Sequence, residues 1–275
     1  MNDSDVSEIV GSRTLLRSCV CSQAMMESDV FQMWVERMKG RRGWMHRKLW
    51  EWCFIAQALY ERDLLRPSIR GLGFAVGQEP LPALFARYGC EVVATDLATE
   101  KVNKEVWVDT HQHAAELKDL NIAKLCPDDL FEKLVSFRFV DMNNIDDDIR
   151  GYDFIWSSCA FEHLGTLELG KQFVYNAMKC LKPGGFAIHT TEYNLSSNDG
   201  TVEAGPDAIY RRRDLEEMAS DLKSKGHKID LDFTTGQGPA DLFVDTPPYK
   251  QVMHLRLELW GYTCTSFSLI IQKAL

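Results

Sequence analysis

The hydrophobic positions of this chain follow two spacings, one typical of helices and the other typical of buried strands. Up to residue 66 they recur at every third or fourth position and predict two helices. The first helix begins at Asp29 and is broken by the glycines of residues 40–43, and the second is ended by Pro67. The apolar faces are formed by Val30, Phe31, Trp34, Val35 and Met38 in the first helix and by Leu49, Trp52, Cys53, Ala56, Leu59 and Tyr60 in the second.

From residue 67 onward, short apolar runs alternate with helical patterns. The runs predict seven strands near residues 69–73, 91–95, 137–140, 151–158, 186–191, 228–233 and 266–272. Strands that alternate with helices predict an α/β fold with a mostly parallel sheet and helices on both faces. The last two strands have no helix of ordinary length between them, so we expect them to pair antiparallel at one edge. Residues 1–66 are predicted to be an N-terminal helical extension, and residues 67–275 the main domain.

Composition narrows the class of protein. The chain has 275 residues, of which 45% are hydrophobic, and a net charge of −9. An acidic chain is a poor partner for nucleic acid, whose phosphates attract clustered lysines and arginines. No apolar run reaches the length of a membrane span, and the acidic, polar residues 1–8 are unlike a secretory signal. The eight cysteines form no CxxC pair, which favours free thiols in a reducing, cytoplasmic compartment.

The stretch at residues 69–97 carries the first functional signal. Gly73 and Gly77 allow a sharp turn and a close backbone approach to a ligand directly after a strand. Pro80 opens the helix that follows, and the next strand ends at Asp96. A carboxylate at this position can accept both hydroxyls of a ribose. The alternative is a purely structural strand–helix–strand unit whose glycines only turn the chain.

Together with later segments, this stretch resembles the class I S-adenosylmethionine-dependent methyltransferases. The resemblance rests on the glycine turn, on acidic residues next to successive strands, and on a Leu-Lys-Pro-Gly-Gly turn at residues 181–185. The acidic positions are Asp96 after the second strand, Asp141 followed by Met142 after the third, and Asp153 at the start of the fourth. Three segments are similar to bacterial members associated with glycan or polysaccharide biosynthesis, namely residues 77–82, 157–165 and 189–194.

The resemblance implies a Rossmann-like methyltransferase fold, S-adenosyl-L-methionine as cofactor and methyl transfer as the reaction. The glycine turn would pass beneath the methionine part of the cofactor, and Asp96 would bind the ribose. Leu97 and Met142 would contact the adenine ring, and Asp141 would reach its amino group. The implied cofactor-binding residues are Gly71, Gly73, Gly77, Asp96, Leu97, Asp141, Met142 and Ser157.

The glycine motif departs from the family pattern at two positions. Ala75 stands where a third glycine is usual. Gly71 stands where many members have an acidic residue that holds the amino group of the methionine. We therefore expect Glu79, or a residue of a lid, to take over the role of that acid.

Transfer of a methyl group to a hydroxyl requires a base close to the acceptor. His163, which follows the fourth strand, is the first candidate, and Glu192 at the exit of the fifth strand is the second. His163 has a structural alternative, the packing or capping of the next helix, whereas His189 is expected to be buried and hydrogen-bonded. Glu192 is open to three roles, as a base, a hydroxyl acceptor or one ligand of a metal. Because one or two scattered oxygens do not make a metal site, and His111 and His113 do not share a helix face, no metal site is predicted.

Three segments are expected to close the acceptor pocket, namely the N-terminal aromatic helices and the loops at residues 194–210 and 234–249. Gly236 and Gly238 should give the second loop freedom to move. The basic run at residues 211–213 either contacts an anionic acceptor or forms the solvated first turn of a helix.

These observations predict O-methylation of a sugar or glycan hydroxyl, with no nucleic-acid partner and no stable membrane insertion. The oligomeric state is left open. N- or O-methylation of another small metabolite is the nearest alternative. A dinucleotide-dependent oxidoreductase would share the first strand–helix–strand unit but has no role for the Asp141-Met142 pair or for the 181–185 turn. A catalytically silent, methyltransferase-like binding protein is the third alternative.

Overall fold

The computed structural model describes residues 15–98, 114, 116–121 and 123–275. His111 and His113 lie outside the described residues, so the expectation about them stays a prediction. All eight cysteines are free thiols, as their spacing predicts. None of the described helices combines the length and the apolar character needed to cross a membrane.

Strands and helices alternate along much of the described chain. In chain order the strands are β1 Ser18–Cys19, β2 Met45–His46, β3 Arg70–Gly73, β4 Glu91–Asp96, β5 Val135–Phe139, β6 Tyr152–Ser158, β7 Leu181–Asn194, β8 Lys228–Ile229, β9 Leu231–Asp232, β10 Val244–Asp245, β11 Met253–His254, β12 Arg256–Leu259 and β13 Tyr262–Gln272. The α-helices are α1 Gln23–Glu27, α2 Asp29–Arg37, α3 Arg47–Tyr60, α4 Leu81–Arg87, α5 Asp128–Leu134, α6 Leu167–Ala177, α7 Arg212–Ser224 and α8 Pro239–Leu242.

Local sequence accounts for several helix boundaries. Helix α2 begins where the hydroxyl of Ser28 accepts a hydrogen bond from the backbone N–H of Phe31. Helix α6 begins in the same way, with Thr166 accepting from Leu169. Helix α4 carries a proline in its first turn and stops before Gly89, whose φ of +89° disfavours any residue with a side chain. The starts of α2 and α4 agree with the helices that the sequence predicts.

The central sheet contains nine strands among the described residues. Its main path runs in the order β5-β4-β3-β6-β7-β13-β12-β10, and β8 adds to β13. From β5 to β7 all neighbours are parallel, whereas β13 is antiparallel to β7, β8 and β12. The predicted α/β fold with a mostly parallel sheet is confirmed, and so is the antiparallel pairing of its last two predicted strands.

The sheet differs from the prediction in the number of its strands, nine instead of seven. The run predicted as one strand at residues 228–233 is divided, with β8 paired to β13 and β9 paired to β1 in a separate two-stranded sheet. Strands β10 and β12 extend the sheet beyond β13 and are absent from the prediction. Strands of two to four residues are too short to show a periodicity, so the hydrophobic pattern does not reveal them.

Helices cover both faces of the sheet. On one face, Trp50 and Phe54 of α3 are fully buried in the same hydrophobic cluster as Trp156 of β6 and Ile188 of β7. Phe85 of α4 joins this cluster, and its ring meets that of Trp156 edge to face at 5.1 Å. Residues of α6 and α7 form the second cluster on the other face. With both faces covered, a ligand reaches the sheet at the ends of its strands.

Gly71 lies inside β3, where an added methyl group would stand 2.3 Å from the ring of Phe154. We expect Gly71→Ala to destabilise the protein by about 1–3 kcal/mol, because a close-packed core has no room for the extra carbon. Urea unfolding followed by tryptophan fluorescence measures this loss. Phe154→Leu provides the control, because the double variant should lose less stability than the sum of the two single variants. Strictly additive losses would contradict the steric explanation.

Candidate functional site

Four neighbouring parallel strands end together at one edge of the sheet. Gly73 of β3 is in register with Ala94 of β4 and with Trp156 of β6, and Ser157 of β6 is in register with His189 of β7. The carboxyl ends of these strands therefore lie side by side, which is where open α/β sheets bind ligands. Most of the site residues that the sequence predicts belong to this edge.

The glycine turn after β3 is bonded to both neighbouring strands. The backbone N–H of Phe74 donates to the carbonyl of Trp156 at 2.9 Å, and that of Val76 donates to a carbonyl of β4 at 3.0 Å. Ala75 and Gly77 both have positive φ, of +48° and +52°. The turn thus takes a left-handed conformation at the position of the family's third glycine, although an alanine there costs about 1–2 kcal/mol.

The carboxylate of Asp96 braces the turn from the side of β4. Its Oδ2 accepts the backbone N–H of Gly77 at 3.2 Å and that of Ala114 at 3.0 Å. Its Oδ1 accepts the backbone N–H of Leu97 at 2.8 Å, and only 6% of the residue is exposed. Asp96 therefore lies against the glycine turn, where the resemblance predicts a ribose-binding acid, and it also holds the backbone of that turn.

Three other implied cofactor positions have structural tasks. Asp141 builds the turn after β5, because its side chain accepts the N–H of Asn143 at 2.9 Å and its carbonyl accepts that of Asn144. Met142 is buried in the cluster on the second face of the sheet. Gly71 lies within β3 and not in the turn. Gly71 leaves room for the ring of Phe154, which packs against it.

Ser157 and His189 form a buried pair on β6 and β7. Ser157 Oγ and His189 Nδ1 are 2.8 Å apart, and neither residue has exposed surface. Burial lowers the pKa of His189 to about 3, so its imidazole is neutral at physiological pH. Its Nε2 has no hydrogen-bond partner among the described residues. The prediction of a buried, hydrogen-bonded histidine is confirmed.

Glu79 is the residue expected to take over from the acid that is missing at Gly71. Its Oε1 accepts the indole N–H of Trp156 at 2.6 Å, and 7% of the residue is exposed. Burial raises the pKa of Glu79 to about 8, so its carboxyl is mainly protonated at neutral pH. A neutral carboxyl supplies no charge to balance an ammonium group, which makes Glu79 a poor replacement for an ionised acid.

His163 lies in a short 3₁₀ turn after β6 and is held by the loop at residues 194–210. Its Nδ1 is 2.8 Å from the carbonyl oxygen of Pro206 and 3.1 Å from Oδ1 of Asp207. Burial lowers the pKa of His163, but Asp207, Glu162 and the Pro206 carbonyl together outweigh burial and raise this pKa above its ordinary value. Because these contacts favour the imidazolium, less of His163 is in the neutral form that can accept a proton than its sequence position suggests.

A cluster of buried charges lies where α3 meets the ends of β6 and β7. This charge cluster consists of Arg47, Lys48, Glu51, Glu162 and Glu192, and its three carboxylates are at most 3% exposed. Of these five residues, only Glu192 is a site residue that the sequence predicts. The sequence does contain a signal for the members on α3. Positions 47, 48 and 51 carry charges at the start of a mainly apolar helix, and residue 51 is three or four positions from the other two, which makes it their neighbour on the helix surface.

Arg47 and Lys48 neutralise part of the negative charge. The Nζ of Lys48 is 2.8 Å from Oε2 of Glu51. One terminal nitrogen of Arg47 bonds Glu192, and the other lies 3.5 Å from Oε1 of Glu51. Burial raises the pKa of Glu51, but Lys48, Arg47 and a hydroxyl donor outweigh burial and bring this pKa to about 2. Glu51 is therefore ionised.

Glu162 and Glu192 are neutralised less completely. One oxygen of Glu162 accepts the hydroxyl of Thr191 at 3.2 Å, and one oxygen of Glu192 accepts from Arg47. The second oxygen of each carboxylate has no hydrogen-bond partner among the described residues. Burial, opposed by Arg47, raises the pKa of Glu192 to about 7, within the range that suits proton exchange. The fold thus brings together carboxylate oxygens that the sequence analysis treats as scattered, with one oxygen from each within 4.8 Å of the other and of the Cys159 sulfur.

The two loops expected to close the acceptor pocket differ in their relation to this site. The loop at residues 194–210 reaches it, since the backbone N–H of Ala208 donates to the carbonyl of Glu162 at 2.9 Å. In the other loop, an added methyl group at Gly236 would stand 2.1 Å from the carboxylate of Asp241. The small size of Gly236 therefore makes room for Asp241, and the expectation that this glycine lets the loop move stays a prediction.

The arginines at residues 211–213 all have carboxylate partners within the chain. This arrangement favours the structural alternative over contact with an anionic acceptor. The ion pairs are Arg211 with Asp214 and Glu203, Arg212 with Glu216, and Arg213 with Asp199.

No protein-family model and no curated protein matches this chain, but its structure is similar to solved methyltransferases. A candidate sarcosine dimethylglycine methyltransferase from Galdieria sulphuraria matches with a TM-score of 0.50 and 15% identity, covering 90% of this chain and 99% of that chain. The magnesium protoporphyrin IX methyltransferase of Synechocystis PCC 6803, solved with bound SAH, matches with a TM-score of 0.50 and 12% identity, covering 92% and 98%. At these identities the likeness shows the fold, which is the Rossmann-like fold of methyltransferases.

Asp207 stabilises the imidazolium of His163, and we expect Asp207→Asn to lower the pKa of that histidine. The pair stabilises the folded protein only while His163 is protonated and Asp207 is ionised. The free energy of unfolding of the variant should therefore be lower by about 1 kcal/mol at pH values below roughly 6.5, which is the pKa of a histidine in the unfolded chain. This loss applies only above the acid range in which Asp207 becomes protonated. The loss should vanish as the pH rises through the raised pKa of folded His163. Urea unfolding at a series of pH values, together with NMR titration of the imidazole, measures both effects.

Asp199→Asn is the control for this prediction, because it alters a fully exposed carboxylate in the same loop. It should leave the titration of His163 unchanged. A loss of stability in Asp207→Asn that is the same at every pH would contradict the assigned pair.

Proposed function

We propose that this protein is an S-adenosyl-L-methionine-dependent methyltransferase that methylates a hydroxyl of a sugar or glycan. The observation that carries the proposal is a glycine turn braced by Asp96 at the same sheet edge as buried carboxylates with unpartnered oxygens. The shared fold supports it, since one similar methyltransferase was solved with bound SAH. The two similar structures are named for small-molecule substrates, so methylation of another small metabolite is the second candidate.

The residues at this edge fit the cofactor. Asp96 lies 3.2 Å from the N–H of Gly77 and thus next to the turn that would carry the ligand. When bound, S-adenosyl-L-methionine supplies an electrophilic methyl group. We assign its ribose to Asp96, and the charge-assisted hydrogen bonds of a buried carboxylate would give this contact strength. The remaining parts of the cofactor would be held by Gly73, Gly77, Leu97, Asp141, Met142 and Ser157.

Glu192 is the better of the two candidate bases. Its Oε2 has no partner among the described residues, and its pKa of about 7 allows it to accept a proton near neutral pH. His163 is held by Asp207 and the Pro206 carbonyl in a way that favours its protonated form. In the proposed reaction the acceptor hydroxyl donates a hydrogen bond to Glu192, and its proton passes to that carboxylate as the oxygen gains the methyl group.

The acceptor needs an opening to reach Glu192, which is only 3% exposed. Two segments cover this residue. The loop at residues 194–210 is bonded to Glu162 through Ala208, and the N-terminal extension contributes Arg47 from α3. We propose that these two segments form the cap of the acceptor pocket and separate when the acceptor enters, which would exclude water once they close again.

Binding of SAH tests the cofactor assignment without an acceptor. We expect isothermal titration calorimetry to detect binding of SAH and none of NAD. Asp96→Asn should weaken SAH binding at least about tenfold, because a hydrogen bond to a charged group contributes about 1.5–3 kcal/mol. Asp153→Asn is the matched control, since Asp153 binds Arg70 and Lys182 at the opposite end of β6. Unchanged affinity in Asp96→Asn, or binding of NAD in place of SAH, would refute the assignment.

Methyl transfer is tested with labelled S-adenosylmethionine and a panel of monosaccharides, nucleotide sugars, oligosaccharides and small amines. We expect a labelled sugar product. Glu192→Gln should lower turnover by about 10²–10⁴-fold with SAH affinity retained, because the step loses its base, whereas His163→Asn should have a much smaller effect. A labelled amine would support the second candidate function. No labelled product from any member of the panel would support a silent binding protein.

A further inference from the structure

The charge cluster contains more carboxylates than cations. Both oxygens of Glu51 are engaged, Oε2 with Lys48 at 2.8 Å and Oε1 with a serine hydroxyl. Lys48 is therefore taken up by Glu51, and Arg47 is shared between Glu51 and Glu192. If all three glutamates were ionised, the two cations would leave one negative charge uncompensated, and it would fall on the pair Glu162 and Glu192.

Glu162 and Glu192 lie close together at the ends of β6 and β7. One carboxylate oxygen of each is within 4.8 Å of the other, and neither residue is more than 3% exposed. Two ionised carboxylates at this separation repel each other strongly in a protein interior, and such pairs commonly retain one proton. Oε1 of Glu162 and Oε2 of Glu192 are the two oxygens without a partner among the described residues, so each is available to a proton or a donor.

We propose that Glu162 and Glu192 hold a single proton between them and act as one base, with Arg47 as the positioning residue that keeps the charge on Glu192. Arg47 bonds Glu192 directly, whereas Glu162 has a hydroxyl donor. The proton therefore resides on Glu162, and Glu192 is the carboxylate that receives the proton of an acceptor hydroxyl. The catalytic part of this inference rests on the proposed function, but the shared proton does not.

Other titratable groups around the pair do not remove the excess charge. Burial raises the pKa of the Cys159 and Cys264 thiols, so both are neutral. The Tyr249 hydroxyl donates to the carbonyl of Glu258 at 2.7 Å. His163 adds a positive charge beside Glu162 when it is protonated, and its charge is matched by its own partner in the 194–210 loop.

A divalent metal ion is the rival explanation for the gathered carboxylates, with the Cys159 sulfur as a third donor. A cation already occupies this side of the cluster, since one terminal nitrogen of Arg47 bonds Glu192 and the other is 3.6 Å from the Cys159 sulfur. Burial also raises the pKa of Cys159, which opposes the ionised thiol that a metal requires. The shared proton needs neither a second cation nor a thiolate, so it agrees better with the structure.

Carbon-13 NMR of the glutamate carboxyl carbons measures the pair in the full chain, without cofactor or acceptor. Between about pH 4 and 9 we expect Glu162 to keep its proton well above the ordinary glutamate range, its signal being assigned by its loss in Glu162→Gln. Glu192→Gln should move the titration of Glu162 down by about one pH unit or more, because it removes the ionised neighbour. Arg47→Met should move it up by a similar amount, because the pair then loses its cation. Shifts in opposite directions are not expected from a merely structural role.

Glu36→Gln and Arg42→Met are matched controls that break an exposed ion pair outside the cluster, and both should leave the titration unmoved. Should Arg47→Met fail to fold, Glu192→Gln decides the question alone. The proposal is overturned if Glu162 titrates in the ordinary glutamate range, if Glu192→Gln leaves the titration of Glu162 unchanged, or if zinc ions bind stoichiometrically and displace protons from both carboxylates. Failure of SAH binding would instead refute the proposed function, and the titration would remain measurable.

Discussion

The ion pair between Arg47 and Glu192 joins helix α3 to strand β7 of the central sheet. Removing two charges from water costs several kcal/mol per ion, so each must find its partner when the chain folds. The apolar face of α3, with Trp50 and Phe54, brings the helix onto the sheet, but hydrophobic contact is non-directional and fixes its position loosely. The ion pair fixes it more sharply, because a shift of α3 by one turn would leave Glu192 without its cation. The arrangement of the whole charge cluster follows from this constraint.

The cluster gives one residue type two very different pKa values. Glu51 has two cationic partners and two hydroxyl donors, and its pKa is about 2 although burial opposes ionisation. Glu192 has one cationic partner, and its pKa is about 7. Burial does not explain the difference, since both residues are at most 3% exposed. The number of cations and hydrogen-bond donors around each carboxylate explains the difference in pKa. It distinguishes a structural carboxylate from one that can exchange a proton near neutral pH.

Local chemistry decides which parts of this fold can be predicted from sequence. The turn between Gly73 and Gly77 and the strand that ends at Asp96 lie where the pattern places them, because periodicity and turn residues act within a few positions. The charge cluster escapes such analysis, since Arg47 and Glu192 meet only when a helix packs on the sheet. Gly236 shows the same limit, because no local pattern reveals that its small size serves a neighbouring carboxylate.

Buried polar atoms that lack a hydrogen-bond partner lower the stability of a fold. Among the described residues, seven buried side-chain nitrogen or oxygen atoms have no hydrogen-bond partner, and four of them belong to Arg47, Glu162, His189 and Glu192. Each such atom costs about 1–3 kcal/mol, and random imperfections of packing would be scattered over the core. Their concentration at the sheet edge beside the glycine turn is expected of groups arranged for a ligand that completes their hydrogen bonds. A ligand that does so would remove part of this cost, which links its binding directly to the stability of the folded chain.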